Sequence, residues 1–485
     1  MSAIAAPTLG SNPPWFPSVM AFEHYDSGRT KLFPEANFNG SFNQDNVVNA
    51  RVSPDDYLTL YNVVYLNAQA MFLYGGGYGD KGGTGAFVAR VDPSTLSMVW
   101  SNQLVNTVEA NEWDYPGVLS LLKDGYLYII YGYRIAKLDP KNGSIVATNT
   151  LPTLAAQRDT SYNGFDALPD GTLIAKTVYR EAGCPLQGFS AFLGCPNPTN
   201  VPPSLIVAIN PETLQVIDQI EAEEFSGGRI TCVQFAGKNF IYLPGSTKIY
   251  RYLFENQHLF QDSSWGPVTY LDPASGQTPA SSVAVMNDWI VFADNGTPVT
   301  NATPPWASPW MTVMAINQAD SSQQFSMQPY KGILSPPGFP ISFSPSAVTV
   351  DPLRNRIFSL DAGPGVVGSL ELREDGLHIV WIEHQRTAEF LTLTGARERR
   401  VLVGTDVPPG QFPGNNTANT VVWREAETGR ELARSDPLPA VVTGTIVEPG
   451  YAGRMYYFTE ESNLTDPNKL IELSVQPAPG KGKLK

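Results

Sequence analysis

The chain has 485 residues, 42% of them hydrophobic and 16% charged, with 42 Gly, 41 Pro and three Cys. Glycine and proline exceed average usage but stay below the share that marks low-complexity disorder, so a coiled coil, a collagen and a disordered protein are all excluded. The 46 acids against 32 bases leave a net charge of −14, which argues against nucleic acid or an anionic membrane surface as partner, because both require clustered Lys and Arg.

Residues 1–16 read as an N-terminal extension. No Lys or Arg precedes Arg29, and Pro7, Pro13, Pro14 and Pro17 interrupt the apolar residues, so the positive start and unbroken apolar core of a secretory signal are not visible. No run approaches the roughly 18 apolar residues of a membrane-spanning helix, and no membrane insertion is expected. The expected location is extracellular or periplasmic as a mature chain, with a cytoplasmic chain as the alternative.

From residue 17 to residue 476 two kinds of hairpin alternate. The first joins an apolar run to an aromatic-rich run through a short polar turn, as in Val118-Leu-Ser-Leu-Leu, Lys123-Asp-Gly, Tyr126-Leu-Tyr-Ile-Ile, and in Phe165-Asp-Ala-Leu, Pro169-Asp-Gly, Thr172-Leu-Ile-Ala. Other copies centre on Leu66, Gly237, Asn287, Leu353, Arg397 and Ala452, making eight. The second kind turns at Asp92-Pro-Ser-Thr-Leu, Asp139-Pro-Lys-Asn-Gly, Asn210-Pro-Glu-Thr-Leu and Glu425-Ala-Glu-Thr-Gly. Asp or Asn at the first position bonds its own backbone two residues on, and Pro presets φ for the next. Weaker copies stand at Glu255, Asn317, Arg373 and, near the N-terminus, Asp26.

Two hairpins per unit give four antiparallel strands, and their radial repetition describes a β-propeller. On these Asp/Asn-Pro-x-Thr-Gly/Leu turns the chain resembles the PQQ-like (quinoprotein alcohol dehydrogenase-like) propeller superfamily. The eight hairpin pairs and the resemblance together give the expectation of an all-β, single propeller of eight four-stranded blades, with seven as the alternative because the repeats after residue 250 are degenerate, and two packed β-sandwiches as the competing architecture. The last unit, Thr443 to Val475, holds only three strands, and the opening segment around Lys31-Leu-Phe is expected to add the fourth and close the ring. Residues 477–485 read as a flexible tail.

Eight blades leave about 61 residues each, against 40–45 for a minimal blade. The surplus falls between second and third strands, in Gly75–Gly85, Tyr179–Pro203, Asn295–Pro309 and Asp406–Asn419. In an antiparallel blade these loops share a face with the connections between blades, so one rim of the disc is the candidate functional face. Within the Tyr179–Pro203 loop Cys184 and Cys195 are expected to form a disulfide, closing a roughly 12-residue loop for about 3 kcal/mol.

The connections to the innermost strands deliver side chains to the axial mouth. They supply Glu112, Asp114, Asp166, Glu389 and His384 as acid/base candidates, with His384 placed to pair with Glu389. Trp113, Tyr115, Arg158, Tyr162, Asn163, Arg229 and Arg386 are expected to contact a ligand, with Trp306 and Trp310 in the loop above. Convergent polar groups with aromatic walls suit a small-molecule or glycan site. The four histidines are too scattered for a propeller metal centre built on His, no metal site is expected, and no cofactor is expected. Quinone-dependent dehydrogenation, which the resemblance would imply, ranks last: that family sets a disulfide of adjacent cysteines against its quinone, and this chain has no Cys-Cys pair. The reading is therefore a monomeric propeller with a small-ligand mouth, a cofactor-free hydrolase, lyase or isomerase, or alternatively a non-catalytic scaffold for a protein or polysaccharide, its loops presenting Trp306, Trp310, Phe189 and Phe192.

Overall fold

A computed structural model describes residues 14–76, 85–188, 191, 194–195, 200–298, 309–441, 444–459 and 468–479. Eight sheets of four antiparallel strands follow one another along the chain, and the innermost strands of neighbouring blades lie side by side around a central axis. Blade one spans Leu60–Gln103, blade two Val118–Thr150, blade three Thr160–Glu221, blade four Thr231–Gln261, blade five Ala284–Met327, blade six Thr349–His384 and blade seven Thr392–Arg434. The second and third strands are buried along nearly their whole length, whereas the outermost strands alternate, as in Ser97–Gln103 and Ile145–Thr150. That contrast follows from packing: inner strands are covered on both faces by adjacent blades, and outer strands face solvent on one side.

The eighth blade closes the ring with chain from both ends. Its three C-terminal strands, Glu448–Pro449, Arg454–Phe458 and Leu470–Pro477, receive Asn46–Val52 as the outermost strand, antiparallel to Leu470–Pro477. The N-terminal part of the chain does supply this strand, but not through the segment expected. Leu32 and Phe33 instead run parallel to the innermost strand of blade seven, opposite Leu393 and Thr394. The reason lies in their burial: Arg29, Lys31 and Phe33 are all 0% exposed, a pattern suited to the axis and not to an outer edge, where Asn46–Val52 alternates between half-buried and exposed.

All eight first-kind hairpins fall between the first and second strands of a blade, and seven of the second kind fall between third and fourth strands. The Asp26 copy is the exception. Its carboxylate accepts from Thr30 N at 3.0 Å and Thr30 Oγ1 at 2.9 Å, four residues on, which holds the bend of the N-terminal segment within the axis. The long insertions lie between second and third strands of blades one, three, five and seven, on one face, called the loop face below. The short turns form the opposite, turn face.

Candidate functional site

The axis is filled by the protein's own N-terminal segment. Trp15 bridges Leu122 of blade two, and the carbonyls of Met20, Ala21, Ser27, Gly28, Thr30 and Lys31 accept from the innermost strands of blades one, two, four, five, six and seven. Ser27 Oγ donates to Ala167 O of blade three at 2.7 Å. This segment satisfies inner-strand backbone groups that a wet channel would otherwise hydrate.

Charged side chains cluster on it. Arg29 Nη1 donates to Glu23 Oε1 at 2.8 Å and lies 3.0 Å from His24 Nδ1, while Arg29 Nε donates to Ile230 O at 2.6 Å. Arg229, rooted beside blade four, reaches across the axis to Tyr61 Oη of blade one and to Glu23 Oε2 at 3.3 Å. Tyr61 Oη also donates to Glu23 Oε2 at 3.0 Å. Beside this group Lys176 Nζ donates to Ser226 O at 2.6 Å and Asn163 Oδ1 at 3.0 Å. The space left between Glu23, His24, Tyr61 and Glu448 is a cavity of about 10 Å³, roughly one water. Burial, then the charges of Lys31, Arg29 and Arg229, hold His24 well below its ordinary pKa. Burial also carries Asp166 up to about 7 and Glu448 well above the carboxylate range, and pushes Lys176 well below the usual ammonium value.

The acids expected at the mouth are engaged in holding the scaffold. Glu112 is clamped by Arg134 at 2.6 and 2.8 Å and by Tyr133 Oη at 2.6 Å. Asp114 Oδ1 accepts from Gly132 N at 2.9 Å, bracing the turn between second and third strands of blade two, and burial raises its pKa to about 6. Asp166 accepts from Ala167 N at 2.7 Å and Cys232 N at 2.9 Å, tying blade three to blade four. Glu389 accepts from Gly444 N and Thr445 N at 2.7 and 3.0 Å. His384 is exposed at the end of the outermost strand of blade six, whereas Glu389 is buried on the chain entering blade seven, so the strand geometry sets the two apart.

The expected ligand contacts divide in the same way. Trp113 is 0% exposed and donates from Nε1 to Gly188 O at 3.0 Å, pinning the loop that carries the Cys184–Cys195 disulfide. Tyr162 is equally buried and donates to Pro152 O at 2.6 Å. Arg158 is largely exposed beside Asp159. Arg386 stacks over Phe339 at 4.7 Å and donates to Ala362 O at 3.0 Å, between blades six and seven. Trp310 is half-buried, its carbonyl accepting from Gln277 and Gln328. Trp306, Phe189 and Phe192 lie outside the described residues. Arg229, Tyr115 and Asn163 are the expected residues that do meet near the axis, Tyr115 close enough to Arg229 and Glu23 to feel both charges. Glu23, Arg29, Tyr61, Lys176 and Glu448 were missed. A Glu, His, Arg and Lys within nine residues among aromatic neighbours, Phe22 to Phe33, was a signal of polar burial that the turn reading of Asp26 obscured.

No family model matches the chain, and no curated protein matches its sequence. Among solved structures, BamB from Moraxella catarrhalis aligns with a TM-score of 0.51 at 11% identity over 87% of this chain and 99% of that one. Quinohemoprotein alcohol dehydrogenase from Comamonas testosteroni aligns with a TM-score of 0.51 at 10% identity, over 95% of this chain and 80% of that one. The shared fold is a β-propeller. At these identities the likeness concerns architecture. A quinone, which the sequence resemblance would imply, does not fit the axis as the described residues fill it: the N-terminal segment is hydrogen-bonded there to the innermost strands, Arg229 and Tyr61 meet Glu23 beside it, and the cysteines that are paired, Cys184 and Cys195, sit in a rim loop.

Proposed function

We propose that the protein is a non-catalytic binding scaffold that holds a protein partner on its loop face. The observation that carries this reading is the filled axis: residues 15–33 and Arg229 occupy the place where a propeller would hold a small ligand, and of the acids near it Glu23, Asp26, Asp114 and Asp166 brace backbone or an arginine, while the Glu448 carboxylate is fully buried without a hydrogen-bond partner among the described residues. The loop face offers an apolar contact instead. Leu334, on the connection from blade five to blade six, is 81% exposed. On the same connection Phe339 and Phe343 meet Phe412 of the blade-seven insertion at 5.4 and 5.8 Å. Exposed apolar side chains around aromatic residues are what interface cores use. BamB, whose fold is shared, is one solved example of this architecture. The disulfide favours an extracellular or periplasmic setting, where such bonds persist, and no helix of the described residues is long and apolar enough to cross a membrane.

Photo-crosslinking tests the reading. A benzophenone amino acid at position 334 should give a discrete protein adduct in extract of the native cells, and one at position 145, exposed on the outer edge of blade two, should give none. Phe412→Ser should abolish the adduct. Equal labelling from both positions, or a small molecule that saturably raises Tm in a metabolite screen and loses that effect on Arg229→Met or Tyr61→Phe at the axis, overturns it.

A further inference from the structure

The turn face carries a groove at the junction of blades three and four, with a volume of about 500 Å³, within the range of small-ligand sites. It lies opposite the loop face and is independent of the scaffold reading. Its walls come from four short turns, and the residues those turns present share one chemistry. Asn239, Asn256 and Gln257 contribute carboxamides, and Asn210, whose Oδ1 accepts from Glu212 N and Thr213 N, contributes its amide N–H groups. Asp170 and Glu255 contribute carboxylates, and Lys238 is the one cation among the lining residues. The floor is apolar, formed where Phe254 of blade four, 7% exposed, packs with half-buried Ile217 of blade three.

Two details separate this groove from an ordinary gap between blades. Asn256 and Gln257 form the turn between third and fourth strands of blade four, both at positive φ, +53° and +65°. A turn of this kind favours Asn-Gly, and a glutamine there is held in a sparsely populated conformation. The chain keeps a second carboxamide facing the groove where glycine would relieve the backbone. Further, a second recess of about 210 Å³ continues the same junction toward the axis, between Pro169 of blade three and Gln234 of blade four. Groove and recess thus lie in the same junction, and the two together are called the track below.

We propose that this track binds a neutral oligosaccharide. Carboxamides pair a donor with an acceptor, and carboxylates accept twice, which matches adjacent hydroxyls of a sugar; the apolar floor suits the C–H face of a pyranose ring. One lysine against two carboxylates disfavours phosphates and other anions. Walls this polar disfavour a lipid.

Isothermal titration of the full chain with maltohexaose, cellohexaose and mannohexaose tests the assignment, with hexaglycine and inorganic phosphate as the other arms. At least one hexasaccharide should bind saturably, and Asn256→Gly/Gln257→Gly should weaken it by about tenfold or more. That variant relieves the positive-φ strain, so its Tm should hold or rise, and lost affinity cannot be assigned to unfolding. Asn239→Ala should weaken the same sugar. No heat from any sugar at 10 mM, affinity unchanged in both variants, or binding confined to hexaglycine or phosphate overturns the proposal.

Discussion

Arg29 and Glu23 form an ion pair at the centre of the propeller, 2.8 Å apart with neither side chain more than 2% exposed. Glu23 is also the carboxylate that Arg229 and Tyr61 reach from the loop-face side, so one acid anchors both the N-terminal segment and the residue that spans the axis. Removing one member of a buried pair leaves the other uncompensated, at a cost of about 3–5 kcal/mol. Arg29→Met should therefore lower unfolding free energy by that order in urea titration. Glu23→Gln added to it should cost less than the sum of the singles, because the pair acts as a unit. Additive losses would show that the two side chains stabilise the axis independently.

The buried acids set a pH dependence. Burial raises Asp166 and Asp294 to about 7 and Asp26, Asp114 and Asp361 to about 6. A group whose folded pKa is raised binds its proton more tightly in the native state, so its contribution is full below the unfolded value and fades as pH rises through the folded one. His24, held low, works the other way up to its unfolded pKa, as do Lys176, held well below the ammonium range, and, near neutrality, Lys31, lowered to about 7, but these are three groups against the five acids and Glu448, which burial also raises. Tm should fall between pH 5 and pH 7.5. Asp166→Asn should flatten part of that slope, each titrating group contributing at most about 1.4 kcal/mol per pH unit. A Tm that rises over this window would contradict the burial of these carboxyls as charged-form penalties.

The repeat was legible because turn chemistry is local. Asp92, Asp139 and Asn210 each accept from backbone N–H groups of their own turn, and the residues that do so are adjacent in sequence. The blade count and the one-sided placement of the insertions followed from those turns. The axis was not legible for the opposite reason. Glu23 meets Arg229 and Tyr61 across 206 and 38 positions of chain, and Lys176 meets Ser226 across 50; nothing in the spacing of these residues marks them as neighbours. The same holds for the rim acids. Glu112 and Asp114 sit where acid/base residues were expected, yet their role depends on Arg134 and the Gly132 amide, which only the folded hairpin of blade two brings beneath them.

Gly164 tests whether Arg229 is held in place by shape. Its φ is +99°, and a Cβ built there overlaps Arg229 Nη1. Gly164→Ala should cost about 1–3 kcal/mol, from backbone strain and displacement of a buried guanidinium. Combining it with Arg229→Met, which removes the atom in the way, should cost less than the two singles together. Full additivity would mean that backbone strain alone is felt at this position.

The rim loop of blade three supplies the last test. Cys184 and Cys195 are bonded across a separation of 11 residues, and Trp113 of the neighbouring connection donates to Gly188 O between them. In the chain-entropy model a closed loop of this size is stabilised by about 3 kcal/mol. Because the loop packs on Val178 and Trp113 through Cys184 and Ala191, and not on the ring's main core, its release should be local. Cys184→Ser/Cys195→Ser should leave the urea midpoint of the propeller nearly unchanged, yet expose Trp113, red-shifting its emission and speeding proteolysis between residues 180 and 204. A loss of global stability of the full 3 kcal/mol would instead make the loop part of the ring's cooperative unit, since an unfolding free energy responds only to constraints broken in the same transition.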